Sequence, residues 1–244
     1  MLQKTNLAQV KSIAKMMLLM EIHETEFSPA VVQHPFTSSG IASIQENGET
    51  TLLNLVQKKE DLYIWQTLMS RQIEKADYAF GIYMMVNKPH VLAFLKYVSP
   101  YLSREDLSKI LSCAWIQSEN PNSDPNVRQK KLISMFKDVD PDFLMDEDER
   151  KELNALDDPV SMYRGVTSYN ANHIRAMSWT LNYDVAKWFA HRFGEDGTVY
   201  QAKINKGYIL ALFNGRNESE IVVDPQHLIG IEPAVSPGVG LTMT

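Results

Sequence analysis

A chain of 244 residues, of which 44% are hydrophobic and 22% are charged, has the composition of an ordinary globular protein, which excludes disorder on a large scale. The formal net charge of −6 makes nucleic acid an unexpected partner, since binding to its phosphates needs a basic surface. The single cysteine, Cys113, excludes an internal disulfide and fits a reducing compartment. The apolar run at residues 16–20 is too short to span a membrane. We therefore expect a soluble cytoplasmic protein without a membrane partner.

The first part of the chain has the apolar spacing of helices. Residues 6–24 and residues 50–76 each show this spacing and predict helices, the second with a possible interruption at residues 61–63. The segment 27–44 between them is rich in valine, threonine and serine and contains two prolines, which predicts short strands or irregular structure.

Helical patterns continue up to a change of character near residue 157. Ser103 has the position and chemistry of a helix cap, and Asp140 is expected to cap the last helix of this part. The acidic run 146–149 is predicted to be a solvated face. Further helices are predicted at residues 78–86, 89–102, from 103 to the break at 121–125, and 127–136.

Beyond residue 157 the apolar runs are short and rich in β-branched and aromatic residues. One helical pattern, at residues 183–193, interrupts them. We therefore predict an α+β fold with a mainly helical domain at residues 1–156, an α/β domain at residues 157–234 and a tail at residues 235–244. The predicted strands are residues 160–163, 198–204, 208–213 and 220–224.

Two carboxylates lie two residues apart where one of these strands begins. In an extended strand Glu218 and Glu220 would share a face, and two covered acids on one face repel each other. The pair therefore indicates either an exposed sheet edge or a functional site. Only residues elsewhere in the chain can distinguish the two interpretations.

Two further features precede this pair in the same part of the chain. Arg164, with its planar set of donors suited to phosphate, is followed by Gly165, which would let a ligand approach the backbone. Ser178 and Thr180 present two hydroxyls on one face of an extended segment, where they could orient a neighbouring acid. Either Thr180 or Asn182 could instead cap the helix that follows.

Taken together, the arginine, the Ser-x-Thr pair and the Glu-x-Glu pair resemble the signature of the mono-ADP-ribosyltransferase family, in the branch of bacterial toxins and phage enzymes. The resemblance includes the Ala-x-x-Phe-Ala pattern at residues 186–190 and covers residues 160–224. It implies an ADP-ribosyltransferase-like split β-sheet domain, with NAD bound as a substrate between two small sheets. It implies nothing about residues 1–156.

The resemblance also implies roles for the residues that would bind NAD. Arg164 and Gly165 would contact the phosphates and the nearby ribose. Ser178 would position the catalytic acid, and Thr180 would support the strand. The interval between Arg164 and Ser178 is short for the family, which leaves Arg175 as an alternative arginine.

For the reacting groups, the resemblance assigns different tasks to the two acids. Glu220 would be the catalytic residue, since a carboxylate stabilises the positive charge that develops on the ribose. Glu218 would face the acceptor, and a glutamate at this position goes with arginine acceptors in relatives. Residues 213–217 would form the loop that meets the target, with Phe213 as an aromatic contact.

The implied function is an intracellular transferase that acts on a macromolecular target such as an arginine of a host protein. Two alternatives remain open: an NAD glycohydrolase with water as acceptor, and an inactive relative that binds and inhibits a partner. The histidines show no metal-ligand spacing, and we expect no metal cofactor.

Overall fold

The computed structural model describes residues 4–46 and 48–235, and helices and strands both contribute to this part of the chain. The predicted α+β class is therefore confirmed. Contacts between α-carbons divide the chain into two compact units, one formed by residues up to 121 with 125–127, the other by residues 122–124 and from 128 onward. The predicted tail lies outside the described residues from position 236.

The first unit combines packed helices with short antiparallel strands. Strands β1 to β3 form one sheet in that order, and β4 and β5 form a hairpin. The helices are α1 (Leu7–Leu18), α2 (Lys59–Lys75), α3 (Ala79–Tyr83), α4 (Val91–Val98) and α5 (Arg104–Gln117). The strands are β1 (His23–Thr25), β2 (Ser28–His34), β3 (Thr37–Ser39), β4 (Ile41–Glu46) and β5 (Glu49–Asn54).

Two helices of this unit differ most from the prediction. Helix α1 ends at Leu18, because the chain then enters β1. The prediction of one long helix at residues 50–76 is wrong for its first third, where the chain forms β5 and pairs with β4. In this strand Leu52 is 68% exposed, whereas Leu53 is only 3% exposed. This alternation is that of a strand, and the apolar cluster resembled a helix only in sequence. Helix α2 shows no interruption at residues 61–63.

The predicted cap of α5 by Ser103 is confirmed. The Ser103 side chain accepts a hydrogen bond from the Asp106 amide at 3.1 Å, which satisfies a donor that the first helical turn leaves unpaired. Cys113 and the fully buried Trp115 lie within this helix. The predicted break at residues 121–125 is also present.

The second unit contains one β-sheet together with helices that lie on both sides of residue 157 in the sequence. Helices α6 to α8 precede the first strand, so the division of the structure lies earlier in the chain than the change in composition. The helices are α6 (Gln129–Asp138), α7 (Pro141–Leu144), α8 (Glu147–Ala155) and α9 (Tyr183–His191). The strands are β6 (Val160–Val166), β7 (Ser178–Thr180), β8 (Thr198–Ile204), β9 (Ile209–Phe213), β10 (Glu220–Val223) and β11 (Ile229–Pro233).

The strands of this unit form one antiparallel sheet in the order β11-β8-β6-β7-β10-β9. Strands β6 and β8 are paired along their whole length, from Val160 opposite Ile204 to Val166 opposite Thr198. In the described structure β6 and β7 are paired at a single position, Tyr163 opposite Thr180. The sheet therefore consists of two halves, β11-β8-β6 and β7-β10-β9, that separate on either side of this pair.

Helix α9 packs closely against β6 at a glycine. A Cβ atom on Gly165 would lie 2.2 Å from the Ala186 oxygen and 2.5 Å from the Ala190 nitrogen, both in the helix backbone. Ala186 and Ala190 are themselves fully buried, so small residues line both sides of the contact. The expectation that Gly165 opens the backbone to a ligand is therefore corrected: the glycine is required by helix packing.

None of the helices in the described part of the chain combines the length and the apolar character that crossing a lipid bilayer requires.

We expect Gly165→Ala to lower the free energy of unfolding by about 3 kcal/mol or more, because the backbone of α9 must move to admit the methyl group. Gly207→Ala is the matched control, since nothing lies within 4 Å of a Cβ atom built there. Urea unfolding followed by tryptophan fluorescence measures both variants. Equal midpoints for the two variants would contradict the close contact.

Candidate functional site

Arg164 lies on β6 beside the pair that joins the two halves of the sheet. Its Nη1 atom donates to the Ser178 carbonyl oxygen on β7 at 2.6 Å and so spans the opening between the halves. Its Nε atom is buried and has no hydrogen-bond partner among the described residues. A buried donor of this kind is rare in proteins and calls for an explanation, such as a bound water or ion.

Burial also changes the electrostatics of this guanidinium. Desolvation lowers the pKa of Arg164 to about 10, with the negative charge of Glu220 opposing the shift and the positive charge of Arg192 adding to it. Arg164 therefore remains charged at neutral pH but is poorly solvated. An anionic ligand between Arg164 and Arg192 would relieve both effects.

Ser178 connects this arginine to the second acid of the Glu-x-Glu pair. Its hydroxyl donates to Glu220 Oε1 at 2.5 Å, while its carbonyl oxygen accepts from Arg164. The antiparallel pairing of β7 with β10 sets Glu220 opposite Thr180 and Val222 opposite Ser178. Glu220 is only 6% exposed, so the serine hydroxyl fixes a carboxylate that has little access to water.

Thr180 holds the first acid of the Glu-x-Glu pair, Glu218, through its backbone. Its hydroxyl donates to the Glu218 carbonyl oxygen at 2.5 Å and accepts from the Asn182 amide at 3.0 Å. The Leu181 amide donates to the Ser219 carbonyl oxygen at 3.1 Å. Asn182 is the cap of α9, since its side chain accepts from two amides of the first turn. The choice of cap left open by the sequence is thus resolved in favour of Asn182.

The two carboxylates lie near the same group, but not because they share a face of a strand, as was predicted. Strand β10 begins at Glu220, and the backbone before it turns through positive φ angles at Asn217 (56°) and Ser219 (41°), so the strand alternation expected for Glu218 does not apply. Both acids instead meet one guanidinium. Arg216 Nε lies 3.5 Å from Glu218 Oε2, and Arg216 Nη2 lies 3.9 Å from Glu220 Oε2.

Phe213 does not have the exposure expected of a target contact. It lies at the end of β9, opposite Glu220, and is only 2% exposed. The ring belongs to the core, since Ala211 and Leu212 just before it on β9 are fully buried as well. The residues that present exposed surface next to the acids are those at 215–217.

The acidic run 146–149 is not a uniformly solvated face. Glu149 is buried, and its two carboxylate oxygens accept from the backbone amides of Asp146 at 3.0 Å and Asn214 at 2.8 Å. The Asn214 side chain also donates to Glu152 at 2.7 Å. Glu149 thus both completes the cap of α8 and holds the start of the loop that carries the acids. The single helix predicted from Asp140 is two helices, α7 and α8, because Asp146 caps the second.

Arg175 and the two histidines that flank β7 and α9, His173 and His191, lie apart from these contacts. Arg175 donates to the Pro225 carbonyl oxygen at 3.1 Å, so Arg164 is the arginine that contacts Ser178. His173 and His191 are exposed. Within the described residues no set of histidine, cysteine and acidic side chains is arranged to hold a metal ion.

Sequence reasoning gave no role to Arg192, Arg216 or Glu149. Arg192 is stacked on Phe189 and Phe193, with its guanidinium carbon 5.0 and 5.2 Å from the ring centroids. The sequence could have indicated a role for Arg216, because this arginine lies within the loop that precedes the acids. No local pattern could indicate that Glu149 reaches Asn214, since the contact joins residues far apart in sequence.

Comparison with models of protein families, with curated proteins and with solved structures finds no match to this chain.

We expect Glu149→Gln to lower the free energy of unfolding by about 2 kcal/mol, because an amide can offer only one of the two acceptor oxygens that the buried backbone donors require. Glu147→Gln is the matched control, an exposed acid of the same helix whose ion pair with Lys151 contributes little. Urea unfolding of both variants measures the difference. A Glu149→Gln midpoint as high as that of Glu147→Gln would contradict the anchoring role.

Proposed function

We propose that this protein is an NAD-dependent mono-ADP-ribosyltransferase that modifies a guanidinium group, such as an arginine of a protein acceptor. The observation that carries the proposal is the continuous set of contacts from Arg164 through Ser178 to Glu220. These residues come from separate strands, and the sequence motif alone did not require that they touch. The separation of the sheet into two halves beside them is consistent with an ADP-ribosyltransferase-like split sheet.

The arginine side of the site fits a dinucleotide. Arg164 offers a buried Nε donor and a charged guanidinium, which suit the diphosphate of NAD. The nearby positive charge of Arg192 would add to the attraction. The exposed ring of Phe193, against which Arg192 stacks, offers a surface for a base. In this proposal Arg164 fixes the phosphates so that the ribose lies within reach of Glu220.

Glu220 is proposed as the catalytic residue. Its low exposure and its hydrogen bond from Ser178 hold the carboxylate in one position, and a fixed carboxylate stabilises positive charge that develops on the ribose as nicotinamide leaves. Preorganised groups of this kind commonly contribute the largest single part of catalysis. Ser178 is a positioning residue for this acid.

Glu218 is proposed as the residue that faces the acceptor. Its side chain is 23% exposed, so an incoming group can reach it, and its carboxylate already lies within ion-pair distance of a guanidinium, that of Arg216. A carboxylate here can orient the acceptor and take up its proton, a general-base role that an amide cannot fill. This contact supports guanidinium as the acceptor class.

The experiment is incubation of the purified protein with NAD and agmatine, a small guanidine, followed by separation of the products. ADP-ribosylated agmatine supports the proposal. Free ADP-ribose alone would indicate the hydrolase, with water as acceptor. Release of no nicotinamide with any acceptor, together with retained binding of a partner protein, would indicate an inactive relative.

We expect Glu220→Gln to reduce nicotinamide release by at least ~100-fold, because the amide removes the charge that stabilises the ribose. The shape of the side chain is kept and Ser178 can still donate to it, so the fold should be retained by circular dichroism. Glu232→Gln, an exposed acid on β11, is the matched control. Undiminished nicotinamide release in Glu220→Gln would refute this assignment.

We expect Glu218→Gln to separate the two reactions. Transfer to agmatine should fall by roughly 100-fold, since the general base is lost, whereas hydrolysis of NAD should fall much less because water does not depend on this acid. Both rates can be followed in one assay by quantifying ADP-ribosylagmatine and free ADP-ribose. An equal loss of both reactions would contradict the division of roles between the two acids.

A further inference from the structure

The guanidinium of Arg216 lies where the proposed acceptor group would lie. Its Nε atom is 3.5 Å from Glu218 and its Nη2 atom is 3.9 Å from Glu220, so the terminal nitrogen points toward the acid proposed to stabilise the ribose. The Arg216 side chain is 40% exposed, while Glu220 is nearly covered. One guanidinium thus contacts both acids. Its Nε atom faces the acid proposed to meet the acceptor, and its terminal nitrogen faces the acid proposed to stabilise the ribose, as expected of an acceptor.

The loop holds Arg216 in this place from both sides. Before it, the Asn214 amide is fixed by Glu149, and Asn214 in turn accepts from the Asn217 amide at 2.8 Å. After it, the Glu218 carbonyl oxygen accepts from Thr180. The position of Arg216 is therefore set by the same anchors that set the two acids.

Stability does not explain these contacts. At 3.5 and 3.9 Å they are longer than charge-assisted hydrogen bonds, and a partly exposed ion pair of this geometry contributes little to folding. The backbone nearby also takes a positive φ angle of 41° at Ser219, a conformation that residues other than glycine and asparagine rarely adopt. Strained backbone of this kind concentrates at functional sites.

We propose that Arg216 is an internal acceptor and that the protein ADP-ribosylates itself at this residue, an inference that rests on the proposed function. The Nη2 nitrogen forms a bond to C1′ of the NAD ribose, and the bond between C1′ and the nicotinamide ring breaks. Nicotinamide leaves as the neutral base with the electron pair of that bond. The proton lost from the guanidinium passes to Glu218 and then to water.

The reaction limits itself. Each chain has one Arg216, so one ADP-ribosyl group is added, and the modified side chain then lies beside Glu218. A modified protein should therefore transfer more slowly to other guanidines. Before modification, the same side chain competes with any external guanidine for the acid.

The test compares wild-type protein, Arg216→Lys and Arg71→Lys after incubation with NAD, with agmatine present in a parallel sample. Arg71 is an exposed arginine of α2 and serves as the matched control. Intact mass should show one ADP-ribosyl group on wild type and Arg71→Lys, mapped to Arg216 by peptide fragmentation. Arg216→Lys should lose at least ~90% of this label while it still modifies agmatine, because lysine lacks the guanidinium.

A second readout needs no NAD. Agmatine titrated against the protein alone, followed by tryptophan fluorescence, should bind Arg216→Ala roughly threefold or more tightly than wild type, because the internal competitor is gone. Arg71→Ala should bind as wild type does. Equal affinities for wild type and Arg216→Ala would contradict the occupied acceptor position.

The outcomes separate this inference from the proposed function. Modified agmatine without label on Arg216 would overturn self-modification and leave the transferase proposal standing. Label that persists in Arg216→Lys would overturn the choice of residue. If neither agmatine nor the chain is modified, both the proposed function and self-modification fail.

Discussion

Strands β6 and β7 meet at the pair of Tyr163 with Thr180, and the arrangement of the candidate site depends on this meeting. Because the strands diverge beyond the pair, Arg164 must reach across a gap to the Ser178 carbonyl oxygen instead of lying in a regular ladder. A longer pairing would cover Arg164 and leave no opening between the halves of the sheet. The close packing of α9 at Gly165 holds β6 at the residue next to Arg164.

The second constraint is electrostatic. Two carboxylates and a buried guanidinium lie within one small region, and each charge would be unfavourable if it were covered without a partner. Ser178 satisfies Glu220, the backbone of the Glu218 segment is held by Thr180, and Arg216 meets both acids. Arg164 keeps an unpaired buried donor, and this remaining imbalance is the feature that a bound anion would correct. In the proposed function, the diphosphate of NAD would supply an acceptor for this donor, and Arg216 would occupy the place of the acceptor guanidinium.

The sequence predicted the elements of the fold well where short-range periodicity and capping decide structure. The cap of α5 by Ser103 and the helix at residues 183–191 follow from residues close together in the chain. Prediction failed at β5, where leucines spaced as in a helix are in fact paired with β4 in a hairpin. It also failed for Glu149, which looks like one more exposed acid until its contact with Asn214 is seen. In both cases a partner outside the local window determined the structure, and local propensity cannot report such a partner.

The sequence by itself determined the chemical inventory of the site: an arginine, a hydroxyl pair and two acids, in an order that resembles one family of transferases. Side-chain chemistry is carried by each residue, so it can be read without coordinates. The tertiary structure decided which of these groups touch. It selected Arg164 over Arg175, Asn182 over Thr180 as the helix cap, and a packing role for Gly165, and it buried Phe213. It also brought Arg216 between the acids, because a turn with left-handed residues, and not the alternation of a strand, directs the side chains there.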